Sequence, residues 1–214
     1  VIKITNKLTG LAAVGFIIAA ATTSAALLND TVVSEDNTFE AGSIVLNIGY
    51  ETIYNNEQTD EQEPTTNPGT IFDFDDIKPG DTGTTTVTTH VSANSGWKWI
   101  LFNQTEGEGQ LAENIELDIF YDMEGTGEFN GDDEYLYQGS LADVEDELGE
   151  GFLLDGDPAT EETEPFTASE EYYLSFQWQI SEEVQNIEGG LKTFDLEFYA
   201  EQLRHNEDPE NPWQ

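Results

Sequence analysis

Tyr172-Tyr173-Leu174-Ser175-Phe176-Gln177-Trp178-Gln179-Ile180 (172–180) alternates large apolar side chains with a second, more polar set. Successive side chains leave a β-strand on opposite faces, so a period of two marks a strand with one face in a core. Thr193-Phe194-Asp195-Leu196-Glu197-Phe198-Tyr199-Ala200 repeats the pattern. Glu188-Gly189-Gly190 reads as the turn between them, which predicts that these two core strands pair as neighbours.

The same signal recurs upstream. Strands are predicted at 43–50, 70–74, 84–92, 97–102 and 115–121. Pro79-Gly80-Asp81 supplies the turn before the third of these. Within it Val87, Thr89 and Val91 share one phase, and Thr86, Thr88 and His90 the other. One helix interrupts the pattern: Ser140 can cap it with Asp143 three residues on, Leu141, Val144 and Leu148 form its stripe, and Gly149 closes it. Residues 58–68, with two prolines and many polar side chains, read as a loop, and 206–214 as a loose acidic tail with Trp213 exposed. Short strands with turn chemistry between them predict an all-β, jelly-roll-like antiparallel sandwich with one short edge helix.

Charge narrows the setting. The chain carries 45 Asp+Glu against 6 Lys+Arg, a formal charge of −39. Self-repulsion on that scale opposes a compact state in dilute buffer and fades as screening shortens to about 3 Å at 1 M salt. Life in molar salt is the natural expectation. Disorder is the competing reading, but 12 Phe, 8 Tyr and 4 Trp supply a core that disordered chains lack. An acidic surface also excludes nucleic acid and anionic lipid as partners, since both demand a basic face. With no Cys there is no disulfide, thiolate zinc site or thiol nucleophile.

Residues 1–26 read as an export signal. Lys3 and Lys7 precede an apolar run from Leu8, and Thr22-Thr23-Ser24-Ala25-Ala26 provides the small residues of a cleavage site, placed after Ala26. The alternative is an uncleaved membrane anchor, because no charge falls between Lys7 and Asp30. Removing 1–26 takes away two lysines and no acid, so the mature charge is 4 − 45 = −41. Processing leaves residues 27–36 as a terminal segment with apolar Leu27, Leu28, Val32 and Val33, then a domain over 37–205 and the tail at 206–214.

Four stretches carry a resemblance to a known family. They are Ala26-Leu27-Leu28-Asn29-Asp30, Asn37-Thr38-Phe39-Glu40-Ala41-Gly42-Ser43-Ile44-Val45-Leu46, Ile77-Lys78-Pro79-Gly80-Asp81, and Gln185-Asn186-Ile187-Glu188-Gly189-Gly190 running into 194–202. Together they resemble the TasA/camelysin family of exported fibre and surface proteins. The acidic stretches at 122–134 and 154–164 depart from it. The resemblance implies removal of the signal by a dedicated signal peptidase. It also implies a jelly-roll subunit that polymerises head to tail with itself by donor-strand exchange, residues 27–36 completing the sheet of the next copy. An open sheet edge is a template for another chain, which is the physical basis of that expectation. Two readings stay open beside it: the segment folds back on its own domain in a monomeric or membrane-tethered adhesin, or the chain is a metallopeptidase in the camelysin sense.

Motifs for catalysis are missing. There is no H-E-x-x-H and no G-x-S-x-G, and the two histidines, His90 and His205, lie far apart. His90 reads as solvent-facing and His205 as structural, so no catalytic residue and no cofactor is expected. Calcium is the one metal considered: Asp122, Glu124, Glu128, Asn130 and Asp133 approximate a calcium loop around Gly127, against the alternative of a solvated acidic hairpin. Asn103 and Asn29 head glycosylation sequons. The sum is an extracellular, self-associating structural protein.

Overall fold

The computed structural model describes residues 43–108, 110–185, 187, 191–204, 206 and 208–214. The proposed cleavage site at Ala26, the segment with Leu27, Leu28, Val32 and Val33, the Asn29 sequon, His205 and the Gly189-Gly190 turn lie outside them.

Two antiparallel sheets enclose one core, giving the expected all-β sandwich. The larger has six strands in the order β2 (Glu57–Thr65), β1 (Val45–Tyr54), β3 (Thr82–Ser92), β8 (Glu171–Ile180), β5 (Ile115–Tyr121) and β6 (Glu134–Ser140). The smaller has β7 (Phe152–Leu154), β4 (Gly96–Glu108) and β9 (Leu191–Gln202). Inward phases match the alternation: Val87 and Val91 on β3, Leu174, Phe176, Trp178 and Ile180 on β8, and Ile100 and Phe102 on β4 are all buried.

The predicted pairing of the 172–180 and 193–200 strands is overturned. β8 lies between β3 and β5, with Thr85 opposite Phe176 and Ile119 on its other side, whereas β9 pairs with β4 in the other sheet. A hairpin would set two apolar faces side by side in one layer. Placing them in facing layers buries each against the other, and periodicity cannot distinguish the two arrangements.

Other expectations are corrected as well. Residues 58–65 are not a loop, and only 66–68 of the expected loop lie outside a strand: Glu57–Thr65 forms edge strand β2, joined to β1 by Asn55 (φ 50) and Asn56 (φ 67). Two consecutive positive φ values make a type I′ turn, which asparagine tolerates and whose twist suits a hairpin. Pro64 fits because an edge strand can spare its N–H. Residues 70–74 form no strand. They are a strap whose Phe72 ring sits 5.2 Å from Phe176 and 5.4 Å from Phe194, while Phe74 lies 4.9 Å from Trp178. Two short helices are present among the described residues, α1 (Leu111–Asn114) and α2 (Val144–Leu148). Ser140 and Asp143 do bond reciprocally, the Asp143 N–H donating to Ser140 Oγ at 3.2 Å and the Ser140 hydroxyl to Asp143 Oδ2 at 2.7 Å. That pair closes the turn ahead of α2, so the helix begins later than its capping signal.

Nor is the C-terminal stretch loose. The Trp97 indole donates to the Asn206 carbonyl at 2.8 Å, Asn211 Nδ2 donates to the Glu150 carbonyl at 2.8 Å, and the half-buried Trp213 ring reaches Tyr199 at 6.2 Å. Trp97, Trp99 and Leu101 occupy the outward phase of β4 yet are buried. The C-terminal stretch lies against this face at Trp97 and Tyr199.

Candidate functional site

Sheet edges are where a second chain can add, so their chemistry decides what this fold can bind through its backbone. β2 ends the larger sheet with Glu57, Asp60, Glu61, Glu63 and Pro64, a set that blocks pairing. At the opposite end β6 has a register shift against β5 and lies beside α2. In the smaller sheet β7 spans only 3 residues. β9 spans 12, and among the described residues its one strand neighbour is β4.

β9 also leaves apolar surface incompletely covered. Phe194, Leu196, Phe198 and Ala200 face the core but are half-buried, unlike Ile100 and Phe102 facing the same interior from β4. Phe194 stacks on Phe102 at 4.4 Å. Next to that stack a cavity of about 70 Å³ is lined by Phe72, Phe74, Phe102, Phe176, Trp178 and Phe194. Trp178 Nε1 is buried with no hydrogen-bond partner among the described residues. Gly83, opposite Trp178 on β3, is required there because any Cβ would run into the indole. The outward phase of β9 carries exposed Asp195, Glu197 and Tyr199, with Glu201 half-buried.

The described chain begins beside the start of β4. The Ser43 carbonyl accepts from Asn94 Nδ2 at 2.8 Å, and Ile44 lies against Gly96, the residue that pairs with Gln202 at the end of β9.

The lysine-proline-glycine-aspartate turn forms as its sequence requires. Gly80 has φ +91, the position after proline where a type II turn needs a positive value, and the Asp81 N–H closes the turn on the Lys78 carbonyl at 3.0 Å. Asp81 Oδ2 accepts from the Lys78 N–H at 2.7 Å and the Tyr54 hydroxyl at 2.5 Å, and Oδ1 from Asn55 Nδ2 at 3.0 Å. Burial alone would raise the Asp81 carboxyl, but these donors outweigh it and hold it below the ordinary range. Tyr54 is correspondingly pushed up to about 12 by burial and by Asp81. The turn thus ties the β1–β2 hairpin to the start of β3.

The five candidate calcium ligands do not converge on a common point. Asp122 is buried: its Oδ1 accepts from the Thr126 N–H at 3.1 Å, and its Oδ2 from the Gly127 N–H at 2.6 Å and the Ser175 hydroxyl at 2.8 Å. Asp133 accepts from the N–H groups of Met123 at 2.9 Å and Asn130 at 2.7 Å. Both carboxylates are engaged by loop donors, while Glu124 and Glu128 face solvent. Asn130 Oδ1 accepts from the Asp132 N–H. Among the described residues no group of three Asp, Glu, His or Cys is arranged to hold a metal ion. Nor is the stretch a free hairpin: Gln177 Nε2 donates to the Gly127 carbonyl at 2.6 Å and pins it to the outer face of the larger sheet. Asn103 is exposed on β4 opposite Asp195, and His90 lies half-buried in the outward phase of β3.

Lys98 was not singled out by sequence reasoning. It sits on the inward phase of β4 with no exposed surface. Its Nζ bonds Thr89 Oγ1 and lies 3.5 Å from the Phe166 ring centre and 4.5 Å from that of Tyr172. No carboxylate faces it among the described residues, whose one ion pair joins the exposed Lys78 and Asp76. Ring faces return about 2 kcal/mol to a desolvated cation, against several kcal/mol to strip an ammonium of water. Burial wins, and the amine is held well below its ordinary value. A usable signal was present: Lys98 shares its phase with Ile100 and Phe102.

No protein-family model matches this chain, and no curated protein matches it either.

Proposed function

We propose that this chain is a secreted structural subunit of an extracellular filament or biofilm matrix, joined head to tail by its own N-terminal segment. Residues 27–36 of one copy add a strand to β9 of the next; Leu27 and Val33 on one face and Leu28 and Val32 on the other supply its apolar side chains, and one of these two faces enters the groove. The observation that carries this reading is β9 itself, a 12-residue edge with half-buried Phe194, Leu196 and Phe198 and no second strand neighbour among the described residues. Backbone pairing on such an edge provides affinity, and alternate side chains entering an apolar groove provide register. Because donor and acceptor are different surfaces of the same molecule, the contact is heterologous and propagates into a fibre unless rotation closes a ring. The chain has no catalytic role in this reading.

Electron microscopy of the secreted protein in molar salt tests it. Filaments are expected, and deletion of residues 27–36 should leave monomers. Filaments from the deletion variant would refute the reading, and so would a processed chain that stays monomeric at every concentration. Chelator-sensitive cleavage of casein by the purified protein would instead establish the metallopeptidase alternative.

A further inference from the structure

We propose that the β9 edge accepts residues 27–36 of a second copy only when concentrated salt screens the carboxylates on both strands, so that ionic strength switches assembly on and off. The inference rests on the donor-strand reading above and adds the condition under which it operates.

Both strands are acidic where they would meet. Asp195 and Glu197 are exposed in the outward phase of β9 and Glu201 is half-buried further along. The incoming segment carries no basic residue, and with Leu27 and Val33 turned to the groove its Asp30 and Asp36 face outward beside Asp195 and Glu197. The cations nearest in sequence to the acceptor stand at its ends, Lys192 near the first residue of β9 and Arg204 beyond its last. Adjacent strands put facing side chains about 5 Å apart at Cβ, where like charges oppose pairing.

Screening decides the outcome. At 0.1 M salt the screening length is about 10 Å, twice that spacing, so carboxylates facing each other across the joint sense one another. At 1 M it is about 3 Å, shorter than the spacing, and repulsion between exposed groups largely disappears. The apolar attraction of Phe194, Leu196, Phe198 and the cavity beside them does not depend on charge screening. One surface therefore repels its partner in dilute buffer and binds it in brine. The blocked edge at β2 uses the same residue types, Glu and Asp, but adds Pro64, which salt cannot remove.

The test is the critical concentration for assembly of the secreted protein, measured by light scattering and sedimentation from 0.15 to 2 M NaCl. Tryptophan emission identifies the salt range in which the fold is native, and comparisons stay inside it. The wild-type critical concentration should fall at least tenfold across the range. A double variant, Asp195→Asn with Glu197→Gln, should assemble at the lowest native salt and lose most of the dependence. Equal wild-type assembly at all salts, or a variant that keeps the full dependence, overturns the switch while leaving donor-strand assembly intact. Assembly that persists without residues 27–36 overturns the donor-strand reading itself.

Discussion

Lys98→Met isolates a single proton in the stability of this fold. Lys98 is fully enclosed between the two sheets, touching Thr89 from β3, Tyr172 from β8 and Phe166 from the segment before β8. Leu154 on β7 and Ala200 on β9 are its ladder neighbours. Tyr172 is the one titratable group in this set. Burial depresses the amine in the folded state, whereas in the unfolded chain it titrates near 10.4. Between the depressed value and about pH 10 the unfolded state thus binds one more proton than the folded state, and stability rises with pH. The slope is about 1.4 kcal/mol per pH unit wherever the folded-state amine is neutral and the unfolded one charged. Methionine keeps the unbranched stem and a favourable sulfur contact with both rings, and the Thr89 hydroxyl retains the Tyr172 carbonyl at 3.3 Å. The variant should be the more stable protein at pH 8, with its advantage shrinking toward pH 9.5 by up to about 1.4 kcal/mol per pH unit. Urea titrations in constant 2 M NaCl at the two pH values measure it. An advantage that does not change with pH would show that Lys98 carries the same proton folded and unfolded, and would refute the reasoning.

Asp122→Asn should cost about 2–4 kcal/mol, since it withdraws a buried carboxylate from two N–H groups and the Ser175 hydroxyl; thermal unfolding should register that loss, and a chelator added to wild type should not reproduce it. Trp213→Ala should cost about 1–2 kcal/mol by removing half-buried aromatic area from Tyr199 and Gly151, with a red shift of tryptophan emission as the cover over Trp97 loosens. Tyr54, Tyr121 and Tyr137 are each pushed up to about 12, by burial first in every case. The unfolded chain loses those protons near pH 10, so stability should fall between pH 10 and 12, by up to about 4 kcal/mol per pH unit when all three titrate together. Tyr137→Phe should soften the alkaline slope in urea titrations by at most about 1.4 kcal/mol per pH unit, although its hydroxyl also donates to the Ser140 carbonyl at 2.6 Å.

How far the fold was legible depends on what each residue pattern encodes. Strand 115–121 was read to the residue and β3 to within two, because alternation reports directly which side chains face a dry interior. β2 was hidden because an edge strand made of Glu, Gln, Asp and Thr has no apolar phase to detect. Its one signal was the Asn55-Asn56 pair, a turn dipeptide easily passed over beside so many polar residues. The strap at 70–74 misled in the opposite sense: Phe72 and Phe74 alternate with acids as a strand would, yet they fill a gap between sheets without joining a ladder. The Asp122 loop misled through spacing. Carboxylates placed to collect backbone N–H groups and carboxylates placed to collect a cation differ in where the oxygens point, which offsets along a chain do not specify.

Whether a strand ends its sheet was the least legible property. Phe194, Leu196, Phe198 and Ala200 promise one dry face, and that promise is kept whether β9 has one neighbour or two. A strand in the middle of a sheet and a strand at its edge share the same alternation, because side-chain phase lies perpendicular to the hydrogen-bonding direction. What separates them is the defence an edge normally carries. β2 has acids and Pro64, β6 has a register shift, and β7 is three residues long. β9 has length, no proline and charge alone, a defence that works in dilute buffer and lapses at about 1 M salt. Among the described residues β9 is thus a long edge protected only by charge, in a chain of formal charge −39, which is the feature the proposed salt-dependent joint would use.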